Sequence, residues 1–199
     1  MLTFRYKTSQ FQYGATMIEV LITIVILAFG LLGLVGLQAK VQLAEVESYQ
    51  RAQAVVLLND MVDRINANPG TANNYVSATV FGTGDTTNTP PIPPCPTAVG
   101  PARDQCEWSA ALKGAAELQG TTKLGAMSGA RGCIERLQAP NTGVGVCTPG
   151  IYLVTVAWQG LNPTVGPSAT CAQTLNVYGG DTYRRAISAR VVIGLPGCT

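Results

Sequence analysis

An uninterrupted apolar run near the start of the chain is the strongest feature of its hydrophobic pattern. Residues 17–37 read MIEVLITIVILAFGLLGLVGL, and Glu19 is the single ionisable residue in this run. A run of about 20 apolar residues matches the hydrocarbon thickness of a bilayer. No later segment of the chain is comparable. The pattern therefore predicts one transmembrane helix followed by a water-soluble remainder.

The helical pattern continues beyond the apolar run. Residues 38–66 contain neither proline nor glycine, and apolar residues recur there every three or four positions. The recurring residues are Val55, Leu58, Val62 and Ile65. The sequence Asn-Pro-Gly at 68–70 then stops the helix. We therefore expect one helix over residues 15–67, with a transmembrane half and an amphipathic half that packs on the rest of the chain.

The remainder, residues 68–199, shows loop signals followed by strand signals. Residues 68–106 are rich in Thr, Asn, Gly and Pro, which favours loop structure. The proline-rich run at 89–96 is interpreted as a rigid surface loop, with a polyproline II ligand as the alternative. A short helix is predicted at 107–119. Strands are predicted at 133–137, 151–159 and 184–193, and 171–178 is a further strand or an ordered loop.

These elements predict an α+β fold, in which a long N-terminal helix packs on a small antiparallel sheet with disulfide-stapled loops. The charge pattern adds an orientation. Arg5 and Lys7 account for the net charge of +2, and residues 15–199 carry equal numbers of acidic and basic side chains. Positive flanks stay cytoplasmic, so the residues after Leu37 should lie across the membrane. Such a balance does not indicate a nucleic-acid-binding surface.

All six cysteines follow the apolar run. They are Cys95, Cys106, Cys133, Cys147, Cys171 and Cys198. An even number in an exported domain favours disulfides, because the bacterial periplasm is oxidising. A metal site is the weaker interpretation, since the chain has no CxxC pair and no histidine. Six cysteines allow 15 connectivities. The simplest one pairs neighbours in the sequence: Cys95–Cys106, Cys133–Cys147 and Cys171–Cys198.

The segment between the basic leader and the apolar run carries the most specific motif. An ordinary signal peptide has its small-residue cleavage site after the apolar core, whereas here Gly14 and Ala15 precede it, with Glu19 four residues later. This arrangement resembles the class III leader of type IV pilins and pseudopilins, although Ala15 stands where those families usually have Phe. The resemblance implies that prepilin peptidase removes residues 1–14 and that Ala15 becomes N-methylated.

Glu19 is the one carboxylate in the apolar segment. The resemblance implies that it contacts the amino terminus of a neighbouring subunit during filament assembly. A carboxylate in a membrane helix costs about 2.5–3.5 kcal/mol on insertion scales and generally marks a functional position. The alternative is an acid near the edge of an anchor that reaches the lipid headgroups.

Later segments resemble PilV-type minor pilins in particular. The segments that carry this resemblance include YLVTVAWQG at 152–160 and YRRAISARVVI at 183–193. The resemblance implies a subunit of the minor-pilin complex that initiates pilus assembly and lies near the tip. Its implied partners are other minor pilins, the major pilin, a tip adhesin, and the inner-membrane assembly platform. The implied location is the inner membrane, with a periplasmic head, and then the pilus at the cell surface.

Three alternatives to a PilV-type pilin were considered. The first is an I-type minor pseudopilin of type II secretion, which shares the leader and the long helix. The second is a DNA-binding competence pilin, which depends on the basic cluster Arg184, Arg185 and Arg190; on a strand these side chains divide between two sides. The third is an enzyme. Without histidine, Ser/His and Cys/His nucleophile systems are excluded, so we predict a non-enzymatic subunit without cofactor or metal.

Overall fold

The computed structural model describes most of the chain after the basic leader. The described residues are 14–85, 94–114, 118–119, 122–123, 127–143 and 146–195. Residues 1–13 of the predicted leader, part of the proline-rich run and Cys198 lie outside these ranges. The chain divides into two compact units between Glu45 and Val46.

The predicted long N-terminal helix is confirmed as α1, Met17–Ala67. It starts two residues later than expected because Thr16 takes the capping position, where its carbonyl accepts the first helical hydrogen bonds. The helix ends before Asn68 because a residue that precedes proline disfavours the helical conformation. Asn68 accordingly has φ −125° and ψ 56°.

Within the second unit, α1 buries one face against the core. The buried residues of this face are Gln50, Ala54, Leu57, Leu58, Met61 and Ile65. The expected positions Leu58 and Ile65 are among them, and Val62 is partly buried against the same core. Val55 was assigned to this face incorrectly, since it is 42% exposed. Its neighbour Ala54 is fully buried instead, so the inward face is turned by one position.

The strands form one antiparallel sheet and one small hairpin. The elements are β1 (Phe81–Gly82), β2 (Leu118–Gln119), β3 (Thr122–Lys123), β4 (Arg131–Gln138), β5 (Gly150–Gln159) and β6 (Arg184–Ile193). The sheet has the spatial order β1-β4-β5-β6, and β2 pairs with β3. The three longer strands are confirmed near their predicted bounds. The three two-residue strands were missed because they are too short to show any alternation. Residues 171–178 form turns, which makes this segment an ordered loop rather than a strand.

The short helix lies earlier in the chain than the sequence suggested. It is α2, Pro101–Leu112, whereas 107–119 was expected. Proline is favoured in the first helical position, where its missing N–H is not needed, and Gly100 has the φ of 140° that begins the turn. Gly114, with φ 86°, ends the helix. Two 3₁₀ helices, Pro69–Tyr75 and Asp181–Tyr183, complete the described elements.

Both faces of the sheet are covered. On the first face, α1, α2 and the sheet share a core that includes Trp108, Ile134, Tyr152, Val154 and Val156. On the second face, a smaller cluster contains Cys133, Ala157 and Cys171, with Ala186 packed against it. The β5 residues on the second face of the sheet are therefore more buried than they would be in a sheet with one face in solvent. The loop that carries Cys171 provides this second layer.

The disulfides correct part of the predicted pairing. Cys95 bonds to Cys106, as expected from their order in the sequence. Cys133 bonds to Cys171, so the expected pairs Cys133–Cys147 and Cys171–Cys198 were wrong. The reason is the register of the sheet: Cys133 lies opposite Thr155, far from the end of the β4–β5 hairpin where Cys147 lies. Cys147 is also disulfide-bonded.

Candidate functional site

The predicted cleavage and assembly segment lies at the start of α1. Gly14, Ala15 and Glu19 are all exposed. The backbone N–H of Glu19 donates to the carbonyl oxygen of Thr16 at 3.0 Å and to its hydroxyl at 3.4 Å. Thr16 is thus the N-cap, and Glu19 occupies the third helical position. This Thr-x-x-Glu spacing matches the sequence pattern of a capping box, a signal that our sequence analysis overlooked.

Capping places Glu19 in the first turn of α1. The N-terminus of a helix carries a partial positive charge, which favours an acid at this position. The next charged residue in the sequence after Glu19 is Lys40. Glu19 is therefore the only charged side chain on the first six turns of the helix, and its position is set by the helix start itself.

The apolar segment of α1 is exposed along its length. Its exposed large side chains include Met17, Ile18, Leu21, Phe29, Leu31, Leu32 and Leu37, each more than 60% exposed. The most apolar 18-residue window has a mean hydropathy of 2.9, and none of it is buried. By length and composition this helix can cross a membrane. Contiguous apolar surface of this extent marks a site of contact with lipid or with other proteins.

The other end of α1 carries a network of charged side chains. Arg64 Nε donates to the carboxylate of Asp60, four residues earlier in α1, at 3.1 Å. Arg64 Nη1 also contacts Asp104 Oδ1 at 3.1 Å and Glu107 Oε2 at 2.7 Å. Arg103 Nε donates to the other oxygen of Glu107 at 2.7 Å. One guanidinium therefore holds three carboxylates from α1 and α2.

The pKa values of these groups follow from their contacts. Desolvation lowers the pKa of Arg64, but hydrogen bonds to Glu107, Asp60 and Asp104 outweigh it and hold this pKa above the ordinary arginine value. Hydrogen bonds from Arg103 and Arg64 lower the pKa of Glu107. Both shifts favour the charged forms, so the Arg64–Glu107 pair that joins α1 to α2 is charged on both sides at neutral pH.

Tyr75 closes the same network from the 3₁₀ helix. Its hydroxyl hydrogen-bonds to the carboxylate of Asp104, and Asn68 Nδ2 donates to the hydroxyl oxygen at 3.0 Å. Burial and the bond to Asp104 raise the pKa of Tyr75, so it remains a donor. The buried Tyr75 phenol thus links the end of α1, the 3₁₀ helix and α2.

Trp108 joins α2 to both α1 and the sheet. Its side chain is fully buried, and its Nε1 donates to the carbonyl oxygen of Leu57 at 2.8 Å. Phe81 packs edge-on against it, with ring centroids 5.8 Å apart. A Cβ on Gly132 would lie 2.2 Å from the Trp108 ring. The glycine in β4 is therefore required by the close approach of this indole.

The predicted basic cluster does not form a surface patch. Arg184 is 1% exposed, and its guanidinium donates to the carbonyl oxygens of Pro167, Ala169 and Cys171 and to Asp181. It holds the loop that covers the second face of the sheet. Arg185 contacts Glu47 at 3.6 Å, and Arg190 is exposed. Only one of the three arginines is freely presented to solvent.

A model of a known protein family matches part of this chain. The Tt1218-like family model, described as type IV pilin Tt1218, matches residues 36–107 of the 199-residue chain. The matched part begins within α1 and ends within α2, so it contains the Arg64 network and most of the face that α1 buries. No curated protein and no solved structure matches the chain.

The matched segment and the architecture agree with each other. A long N-terminal helix, a small four-stranded antiparallel sheet and disulfides fit the α+β fold of pilins. Pilins are structural subunits that assemble with other pilins into a filament. The exposed apolar helix is consistent with a membrane anchor before assembly. The chain is accordingly type IV pilin-like over residues 36–107, within a molecule that has the pilin architecture.

Proposed function

We propose that this protein is a PilV-type minor pilin, a non-enzymatic subunit of the complex that initiates a type IV pilus and lies at its tip. In this role it assembles with other minor pilins and the major pilin and helps to display a tip adhesin. It resides first in the inner membrane as a single-pass protein with a periplasmic head, where the assembly platform extracts it into the pilus.

The observation that carries the proposal is the exposed apolar half of α1 with Glu19 in its first turn. Among the described residues of its unit, the apolar side chains of this helix have no partner, so the helix is suited to burial in lipid and then among other helices. A single carboxylate in such a surface needs a cationic partner. We propose that this partner is the new amino terminus of a neighbouring subunit.

Processing creates that amino terminus. We propose that prepilin peptidase cuts between Gly14 and Ala15 and that Ala15 is then N-methylated. The capped helix begins two residues after this bond, so the peptide bond to be cut is in exposed, non-helical chain. Intact mass of the protein from pilus-producing cells tests the step. The expected mass lacks residues 1–14, includes one extra methyl group and shows no free thiol. A chain that begins at Met1 would overturn the processing proposal.

A second experiment tests assembly. Glu19→Ala should leave the head folded and the protein in the membrane, and it should remove the protein from sheared pili. Glu45→Ala, an exposed acid later in the same helix, is the matched control and should assemble normally. Pili that contain the Glu19 variant at the normal level would contradict the proposed contact.

Deletion of the gene distinguishes the kinds of filament. A PilV-type subunit predicts loss of surface pili with protein secretion intact. The reverse outcome would identify the I-type pseudopilin of type II secretion instead. Loss of DNA uptake with piliation preserved in an Arg190→Gln variant would favour a competence pilin. Arg184 is unsuitable for that test because its replacement would release the loop it holds.

A further inference from the structure

A concavity of about 520 Å³ opens on the second face of the sheet, beside its short edge strand β1. Its walls are largely apolar: Val80 and Phe81 form one side, and Leu175 and Val177 of the Cys171 loop form the other. Leu175 and Val177 are 46% and 42% exposed. A volume of this size lies in the range of pockets that bind ligands.

Arg131 supplies a charge inside this apolar concavity. It is the first residue of β4 and is 8% exposed. Its Nη1 donates to the carbonyl oxygen of Gly129 at 3.3 Å, and its guanidinium carbon lies 5.4 Å from the centre of the Tyr178 ring. The ring offers its face to the cation, and the Tyr178 hydroxyl also interacts with the guanidinium.

The guanidinium has no acidic partner among the described residues. It has five N–H donors, and its described partners are the Gly129 carbonyl and the Tyr178 side chain, both uncharged. Among the described residues it has no carboxylate within 4.0 Å, unlike Arg64, Arg103, Arg184 and Arg185. A buried charge without a counter-charge is costly, and a bidentate carboxylate is its best partner.

The approach to the guanidinium is open because Gly84 has no side chain. A Cβ on Gly84 would lie 3.2 Å from Nη2 of Arg131. The nearest acid in the wall, Asp85, is already neutralised: it is paired with Lys113 and accepts hydrogen bonds from Ser109 and the Gly82 N–H. Asp85 therefore does not serve as the missing counter-charge.

We propose that this concavity is a docking site for an acidic side chain of another filament subunit, an aspartate or glutamate flanked by apolar residues. The carboxylate pairs with Arg131, and the apolar neighbours pack against Val80, Leu175 and Val177. The choice of a neighbouring subunit as the source of the acid rests on the proposed pilin function. The chemistry of the site rests on the charge and burial of Arg131 alone.

Peptide titration of the full-length protein in detergent micelles tests the chemistry. The probes are acetyl-Leu-Asp-Leu-amide and its neutral match, acetyl-Leu-Asn-Leu-amide, and the readout is the NMR signal of the arginine side chains. The acidic peptide should shift the Arg131 signal saturably and bind at least about tenfold more tightly than the neutral one, as expected for a charge-assisted pair. Equal binding of the two peptides, or no saturable binding of the acidic one, overturns the proposal.

Three variants test whether Arg131 is responsible for the preference for the acidic peptide. Arg131→Gln should abolish the preference for the acidic peptide, and Arg131→Lys should retain part of it because the charge stays while the bidentate geometry is lost. Arg190→Gln, at an exposed arginine of β6, should change nothing. Near-ultraviolet circular dichroism and the absence of free thiols establish that each variant is folded. A preference that survives in folded Arg131→Gln overturns the site.

Photo-crosslinking in cells tests the partner. A photoreactive amino acid at Val177 should crosslink to an acid-containing segment of a pilin subunit, identified by mass spectrometry, and Arg131→Gln but not Arg190→Gln should reduce that product at least about tenfold. Persistence of the product in Arg131→Gln contradicts the docking site. Absence of the protein from sheared pili would instead contradict the proposed function, and the peptide titration would still decide the chemistry.

Discussion

The two halves of α1 belong to one helix but differ in the exposure of their apolar side chains. Leu32, in the first half, is 67% exposed, whereas Leu58, in the second half, is 6% exposed. Both are leucines in regular helix, so neither helical propensity nor side-chain type explains the difference. The second half has partners within its own unit: the sheet, the Trp108 indole that bonds to the Leu57 carbonyl, and the carboxylates around Arg64.

The comparison shows which half of α1 obtains its packing partners when the head folds. Burial of a leucine side chain contributes about 1.5–3 kcal/mol to the free energy of folding. The second half of α1 gains this contribution because it packs in the core of the head. The first half keeps its apolar surface for surroundings outside its own unit, which the proposed function identifies as lipid and neighbouring subunits. Substitutions in the two halves should therefore separate head stability from assembly.

Removal of Trp108 should have the largest effect on the second half. Trp108→Ala deletes a fully buried side chain and leaves the Leu57 carbonyl without its donor, so we expect a loss of about 3–5 kcal/mol in the free energy of unfolding. Urea unfolding of the full-length protein in detergent, followed by near-ultraviolet circular dichroism, measures it. Trp108→Phe keeps most of the ring and should cost less. If Trp108→Ala is no more harmful than Trp108→Phe, the indole does not fasten α1 to the head.

The same substitution in each half tests the comparison most directly. Leu58→Ala should destabilise the head by about 2–5 kcal/mol because it leaves a cavity in a packed core. Leu32→Ala should leave the unfolding of the head unchanged, since Leu32 is exposed and is not one of the core residues. Urea unfolding of the two variants under identical conditions provides the measurement. Equal losses at the two positions would mean that the halves are not independent.

A larger residue at Gly132 in β4 should disturb the packing between the sheet and the second half of α1. Gly132→Ala places a methyl group where the Trp108 ring lies, and overpacking of this kind costs about 1–3 kcal/mol. Gly70→Ala is the control, because no atom lies within 4 Å of the added methyl group there. Thermal unfolding of both variants distinguishes them. A Gly132 variant as stable as the Gly70 variant would show that the indole can move away without loss.

The sequence alone identified the features that depend on local pattern. The apolar run is continuous, α1 extends over 51 residues, and β5 and β6 extend over 10 residues each, so composition and spacing reveal all four. The sequence indicated β4 only by its shorter middle part, residues 133–137. The features that it missed depend on contacts between distant residues. Cys133 pairs with Cys171 because the register of the sheet and the course of the Cys171 loop bring them together. The residues next to each cysteine in the sequence do not indicate either feature.

The candidate site divides in the same way. Gly14, Ala15 and Glu19 stay predictions from the motif, and the structure adds that Glu19 lies in the first turn of α1, because the start of a helix is a local property. The burial of Arg184 and of Arg131 could not be predicted, since each depends on a loop that folds back over the sheet. Position in a strand correctly indicated that Arg184 and Arg185 diverge, but a basic residue in the interior has no sequence signal that separates it from one on the surface.

The smallest predicted effect concerns the charges at the end of α1. Because its pKa is lowered in the folded protein, Glu107 contributes stability above the unfolded glutamate pKa of about 4.3, and this contribution is lost as pH falls through the folded pKa. Partly exposed pairs contribute on the order of 1 kcal/mol or less. Urea unfolding at pH 7 and pH 3 should therefore show a smaller acid-induced loss for Glu107→Gln than for the unmodified protein. Glu45→Gln, exposed in the first unit, should lose as much as the unmodified protein, and an acid response in Glu107→Gln identical to that of Glu45→Gln would exclude Glu107 as a pH-dependent link between α1 and α2.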